Sequence, residues 1–155
     1  ATLRAHNLLR ADHMAPPLEY DDNLAYQAQL HAERCMQTGR VANCTSNDMG
    51  GQNILDLKGY HYANDVVEEA VAFWYQQMRF YSADGGFLDW IPARNFTQLV
   101  WKSTTHVGTG MCRNKGRTYI VCNYAPPGNQ IGEVGKNVEA RKNRKWEKAK
   151  SLLSN

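Results

Sequence analysis

The sequence predicts an α+β domain in which helices surround a small antiparallel sheet. Two observations favour this fold: apolar residues recur at helical spacing in two segments, and two alternating segments flank a hairpin signal. The chain has 155 residues, of which 43% are hydrophobic and 21% charged, so one globular domain is expected. It contains no apolar run of the roughly 18 residues that a membrane span needs.

The first two helices are defined by the residues that end them. A short helix is expected over Ala1 to His13, because Pro16-Pro17 cannot continue it. Asp21 or Asp22 can cap a second helix, and Gly39 ends that helix. Its apolar stripe consists of Leu24, Ala28, His31 and Cys35.

A polar loop and a third helix are expected next. Arg40 to Lys58 is interpreted as a loop with a short strand around Asn53 to Leu57. Asp65 and Glu68 resemble a capping box in acidic form. One helical face then carries Val67, Ala70, Val71, Trp74, Met78 and Tyr81, and a second carries Phe73, Gln77 and Phe80. A helix with two apolar faces is expected between layers.

The last third of the chain predicts the sheet. An aromatic loop over Ser82 to Pro92 precedes a short helix over Arg94 to Trp101. Two strands, Thr105 to Cys112 and Arg117 to Tyr124, then flank the turn Asn114-Lys115-Gly116. We therefore divide the chain into a domain over residues 1–132 and a basic C-terminal extension over residues 133–155.

The net charge of +3 comes from that extension. Residues 133–155 carry 7 Lys or Arg and 3 Asp or Glu, whereas the rest of the chain has one acidic residue in excess. We interpret the extension as a solvated appendage, with at most a peripheral contact to a membrane surface or polyanion. The body has no basic patch interleaved with aromatic residues, so nucleic-acid binding is not expected.

The four cysteines form no CxxC pair, which favours disulfides over a zinc or redox site. We predict pairs Cys112–Cys122 and Cys35–Cys44, although four cysteines allow three connectivities. Cys112 and Cys122 face each other if the register leaves a loop near Gly116 to Thr118, whereas a tighter turn at Lys115-Gly116 would place Cys112 opposite Tyr119. The sequons at Asn43 and Asn95, together with the cysteines, favour an extracellular setting.

Five short elements resemble the motifs of the CAP superfamily, the cysteine-rich secretory, antigen 5 and plant pathogenesis-related proteins. They are HNLLR from His6, GQNI from Gly51, FWYQQ from Phe73, NFTQLVWKSTTHVGTGMC from Asn95 and YIVCNYAPPGN from Tyr119. They follow the family's order and cover most of residues 1–132. The resemblance implies an α-β-α sandwich and secretion, and the mix of motifs is most similar to helminth venom allergen-like proteins.

The family is known for a cavity with two His and two Glu that can hold a divalent cation. At the matched positions this chain has Gln52, Gln77 and Asn95, and the fourth position has no counterpart. Amides are poor Zn²⁺ ligands and cannot act as a general base. We therefore expect no metal, no cofactor and no enzymatic activity. The three amides form either a hydrogen-bond network or an ordinary polar cleft.

Relatives bind sterols through an aromatic loop and fatty acids between two long helices, so the resemblance implies lipid binding. The loop residues here are Phe80, Tyr81, Phe87, Trp90, Ile91 and Phe96. The helix channel would use Val67, Ala70, Val71, Trp74 and Met78. Both sets could instead be core residues. The alternative function is a secreted ligand for a host protein, and a metal-dependent hydrolase is disfavoured. We expect a glycan on Asn43 rather than Asn95, because Asn95 is expected to face the cleft.

Overall fold

The computed structural model describes residues 1–41, 51–59, 66–86 and 88–141. Its elements, in chain order, are α1 (Thr2–Asp12), β1 (Glu19–Tyr20), α2 (Asp22–Thr38), β2 (Gly51–Lys58), α3 (Val66–Tyr75), α4 (Arg94–Leu99), β3 (His106–Asn114), β4 (Arg117–Ala125) and α5 (Val134–Asn137). A 3₁₀ helix, Gln76–Phe80, continues α3, and a second, Ile91–Ala93, precedes α4. Within these residues no helix is long and apolar enough to cross a bilayer.

The predicted caps of α2 are confirmed. The Asp21 carboxylate accepts a hydrogen bond from the Leu24 amide at 2.8 Å, and Gly39 ends the helix in the left-handed conformation. The fold also contains three features that the sequence analysis missed. They are the strand β1, the full eight-residue length of β2, and the one-turn helix α5.

The four strands form one sheet in the order β1-β3-β4-β2, in which β1 is parallel to β3 and the other pairs are antiparallel. Side chains on opposite faces of β4 enter separate cores. Tyr119 and Val121 pack with Ala28, Ala32 and Cys35 of α2. Ile120, Cys122 and Tyr124 pack in the larger core that α1, α3 and α4 supply. The α-β-α sandwich is therefore confirmed.

The hairpin turn is tighter than the predicted disulfide requires. Asn114 pairs with Arg117, so the turn contains only Lys115 and Gly116, both with positive φ. Cys112 therefore lies opposite Tyr119. Because neighbouring strand residues point to opposite faces, Cys112 lies on the α2 face and Cys122 on the other. The predicted Cys112–Cys122 bond is wrong: both thiols are free. Cys35 is buried and free as well, while Cys44 lies outside the described residues.

The described part of the C-terminal extension is not a solvated appendage. Val138 is in the main core, and the Asn137 side chain accepts hydrogen bonds from the amide and hydroxyl of Ser103. Lys102 forms an ion pair with Glu139 at 2.6 Å. The packed body therefore continues at least to Glu139, past the boundary at residue 132, because α5 covers the end of α4. Most of the basic residues of the extension lie outside the described ranges.

Candidate functional site

The matched cation-site positions surround a small polar cavity of about 160 Å³ at the free edge of β2. Gln52 of β2 and Asn95 in the first turn of α4 line it, together with Val41, Ile54 and Arg94. Gln77 approaches from the 3₁₀ helix, and its side-chain oxygen accepts a hydrogen bond from the backbone N–H of Asn95 at 3.0 Å. The fold therefore brings the three predicted amides into one region.

These amides are held by neighbouring residues. The Gln52 side chain donates to the Asn123 side chain at 2.8 Å, across the β2–β4 pair. Buried Asn53 donates to the Asn95 carbonyl at 3.1 Å, while its own side-chain oxygen has no partner. The described hydrogen bonds join Gln77 to the Asn95 backbone and Gln52 to Asn123, and none of them joins two of the three predicted side chains. The bond from Asn53 to the Asn95 carbonyl holds α4 against β2.

The cavity does not fit a divalent cation. Zn²⁺ is bound by thiolate, imidazole or carboxylate, and the described residues that line the cavity include none of these. It contains instead the guanidinium of Arg94, which repels a cation. Across residues 1–41, 51–59, 66–86 and 88–141 no group of three or more His, Cys, Asp or Glu could hold a metal. We derive no metal chemistry for this site.

Two of the histidines have structural partners. His6 donates from Nδ1 to the Thr2 carbonyl at 2.8 Å, and its Nε2 accepts from the Tyr124 hydroxyl at 2.7 Å. Burial lowers the pKa of His6 to about 4. His13 donates to the Glu139 carbonyl and accepts from the Tyr75 hydroxyl, and burial lowers its pKa as well. Both imidazoles are therefore neutral at pH 7 and join distant parts of the chain.

Arg10, the last residue of the HNLLR motif, also stabilises the fold. Its buried guanidinium donates four hydrogen bonds of 2.8–3.0 Å, all to backbone carbonyls, of Pro16, Leu99, Trp101 and Thr104. Burial lowers the pKa of Arg10 to about 10, so it remains protonated at pH 7. The motif thus closes the loop after α1 onto the segment after α4.

The two longest motifs, which begin at Asn95 and at Tyr119, are joined by hydrogen bonds. Gln98 accepts from the Gly128 amide at 2.9 Å and donates to the Thr104 hydroxyl at 3.1 Å. Thr97 donates to the Asn129 side chain at 2.6 Å. A motif that looks catalytic in the sequence therefore fixes the loop that follows β4.

A groove of about 630 Å³ lies between α1 and α3, the α1–α3 groove. Its lining residues are Arg4, Ala5, Leu8, Leu9, Glu68, Val71, Ala72, Tyr75 and Gln76. Leu8 is 62% exposed, although most of the side chains that line the groove with it are apolar. A cavity of this size can take a small molecule, and its mostly apolar lining suits an aliphatic one.

The family model of the cysteine-rich secretory proteins, CAP, matches residues 3–124. The chain belongs to the CAP family. A probable pathogenesis-related protein of the fungus Arthroderma benhamiae is 35% identical over 88% of this chain and 47% of its own length. Pathogenesis-related protein 1A of Nicotiana tabacum is 33% identical over 84% of this chain and 76% of its own. The chain thus spans about half of the fungal relative and three quarters of the plant one.

Among solved structures, venom allergen-like protein 4 of Schistosoma mansoni aligns with a TM-score of 0.65. It covers 94% of this CAP chain and 95% of its own chain, at 22% identity. The predicted likeness to helminth venom allergen-like proteins therefore holds for the fold.

The aromatic loop of this CAP domain is divided between core and surface. Phe96 is 1% exposed and Trp90 is 6% exposed, whereas Phe80 and Ile91 are 51% and 38% exposed. Phe87 lies outside the described residues. Tyr81 and Phe96 line a second cavity of about 250 Å³, with His13, Met78, Ala83, Glu139, Ala140 and Arg141. Burial of Trp90 favours a packing role for that ring, and sterol binding by the loop stays a prediction.

The predicted helix channel coincides with the α1–α3 groove only at Val71. Ala70 and Trp74 are fully buried in the core, Met78 lines the second cavity, and Val67 lines neither. Sequence reasoning missed the α1 wall altogether. Leu8 and Leu9 in the HNLLR motif were the available signal, because adjacent residues point about 100° apart around a helix and widen its apolar face.

Proposed function

We propose that this CAP chain is a secreted, non-enzymatic lipid-binding protein that holds an aliphatic chain in the α1–α3 groove. The observation that carries the proposal is the groove itself, about 630 Å³ and lined mostly by Ala, Leu, Val and Tyr side chains. Water forms few hydrogen bonds with such a wall. An aliphatic chain that displaces the water is therefore stabilised, because apolar surface is buried. Secretion is supported by the family description and by the two sequons.

The groove is a better candidate than the aromatic loop because its walls are already separated. Leu8 is largely exposed in the absence of a ligand, and Ala72 is exposed on the opposite wall. In the loop, by contrast, Trp90 is buried. A ligand that reached this ring would have to displace its present neighbours. The second cavity, about 250 Å³, is less than half the size of the groove.

The absence of acid–base groups in the polar cavity supports a carrier over a hydrolase. Gln52 and Asn95 do not titrate, and the Gln77 oxygen is occupied by the Asn95 amide. Neither a metal-bound hydroxide nor a side-chain base can form there.

A pair of identical substitutions tests the site. Ala72 lines the groove and Ala83 lines the second cavity, and both are exposed. Replacing either by Trp fills a cavity without disturbing the core. We expect Ala72→Trp to weaken binding of a fluorescent fatty acid by at least about tenfold, since a large pocket loses its volume. Ala83→Trp is expected to leave the affinity unchanged.

Two outcomes would contradict the proposal. If neither wild type nor Ala83→Trp binds the fatty acid, the chain is not an acyl-chain carrier. If Ala83→Trp abolishes binding while Ala72→Trp does not, the ligand lies in the second cavity instead. Circular dichroism of both variants verifies that the fold is retained.

A further inference from the structure

The α1–α3 groove has a charged end and an apolar end. His13, directly after α1, accepts a 2.9 Å hydrogen bond from Tyr75, the last residue of α3. The C-terminal ends of the two helices therefore meet, and the groove extends from this contact towards the N-terminal half of each helix. Those halves carry Arg4 from α1 and Glu68 from α3.

Among the described residues that line the groove, these two are the only charged ones, and they have opposite signs. Both are exposed. Among the described residues neither takes part in an ion pair, with the other or with a third group. One guanidinium and one carboxylate of the α1–α3 groove are thus available, and each can contact a ligand group of opposite charge.

We propose that the groove takes a single-chain zwitterionic amphiphile, with an anionic and a cationic group in one head and one aliphatic chain. The inference rests on the function proposed above and names the class of lipid. Arg4 pairs with the phosphate, for which a planar guanidinium offers two parallel donors. Glu68 pairs with the ammonium group. The chain then lies on Ala5, Leu9 and Val71 and ends near Tyr75.

The same geometry discriminates against lipids with a single charge. The carboxylate of a fatty acid that contacts Arg4 also approaches Glu68, which repels it. A cationic amphiphile that contacts Glu68 approaches Arg4 in the same way. A neutral lipid uses neither group. A zwitterionic head satisfies both, so it is expected to bind most tightly of the four kinds.

Four probes with the same sixteen-carbon chain separate these cases: lysophosphatidylcholine, palmitate, hexadecyltrimethylammonium and monopalmitoylglycerol. Their affinities are measured by calorimetry below the concentration at which each forms micelles. In the upper part of its range, one exposed charge contact is worth about 0.5–1 kcal/mol, or a factor of roughly two to five. We therefore expect lysophosphatidylcholine to bind about four- to twentyfold more tightly than the neutral monoacylglycerol.

Each of two single variants is expected to bind one probe more tightly and another more weakly, a result that loss of folding cannot produce. Glu68→Gln removes the repulsion of an anion, so it should tighten palmitate by roughly two- to fivefold while weakening lysophosphatidylcholine. Arg4→Gln removes the repulsion of a cation, so it should tighten hexadecyltrimethylammonium by a similar factor while weakening lysophosphatidylcholine. Glu33→Gln and Arg34→Gln are the matched controls, since both residues are exposed on α2 across the sheet, and they should change no affinity.

The results distinguish failure of this inference from failure of the proposed function. If monopalmitoylglycerol binds as tightly as lysophosphatidylcholine and Ala72→Trp blocks both, the groove holds lipid but does not select a zwitterion. If palmitate binds best and Glu68→Gln leaves it unchanged, the inference is also overturned. If Ala72→Trp blocks none of the four probes, the groove is not the lipid site at all.

Discussion

Gly108 of β3 sets the distance between the sheet and α2, and replacing it by Ala should move the helix. A Cβ at this position would lie 2.6 Å from the Leu24 carbonyl carbon and 2.7 Å from the Ala25 Cα, and closer still to the Ala25 nitrogen. Ordinary contacts begin at 3.4 Å. These are backbone atoms, which cannot rotate away. The helix would therefore have to retreat by roughly 1 Å.

The cost of that retreat follows from what α2 buries. Ala28, Ala32 and Cys35 are fully buried against the sheet and would lose close contact together. Overpacking of a core lowers the free energy of unfolding by about 1–3 kcal/mol. We expect Gly108→Ala to lie at the upper limit, because the atoms it meets belong to the backbone of α2. For a domain of this size about 3 kcal/mol corresponds to a fall in Tm of roughly 6–12 °C.

Urea unfolding followed by tryptophan fluorescence measures this change, with Gly135→Ala as the matched control. A Cβ at Gly135 meets nothing within 4 Å, so that variant should unfold within about 0.5 kcal/mol of wild type. Gly110 faces α2 one turn further along, at Ala28 and Gln29. Its Ala variant should cost a similar amount, and the double variant less than the sum, because one retreat relieves both contacts. A loss below about 0.5 kcal/mol for Gly108→Ala would refute the reasoning.

Three further predictions concern buried polar groups and the polar cavity. Arg10→Met should destabilise the fold by about 3 kcal/mol or more in urea, because it leaves carbonyls without donors, and a neutral result would contradict this. The pKa of His6 is lower folded than unfolded, so stability is full above pH 6.5 and falls as pH drops towards 4. About 3 kcal/mol is lost in that window, and His6→Gln should flatten the profile. Calorimetry with Zn²⁺ should detect no micromolar site, and tight binding abolished by Gln52→Ala with Asn95→Ala would overturn that expectation.

Local signals in the sequence were sufficient for the helices and the family. Asp21 and Gly39 delimit α2 because each acts on backbone groups within a few residues of itself. The amides at the matched cation-site positions could also be recognised, since Gln52 and Asn95 change the chemistry of a motif whatever surrounds them. Neither inference needed a contact between distant segments.

Local signals could not decide on which face of the sheet Cys112 lies. That face depends on the length of one turn, and in a strand a change of register by one residue moves every side chain to the other face. The role of Arg10 was hidden for a similar reason. Its four acceptors lie up to 94 residues away, and only the folded chain brings them together.

By itself, then, the sequence determined the sandwich and the family, and it identified which residues stand at the matched cavity positions. Tertiary structure alone decided where a ligand could lie. The α1–α3 groove exists because two helices that are distant in sequence meet at His13 and Tyr75 and leave Leu8 uncovered. A periodic pattern marks which residues are apolar, but an apolar side chain becomes core or pocket wall only through the neighbour that does or does not cover it.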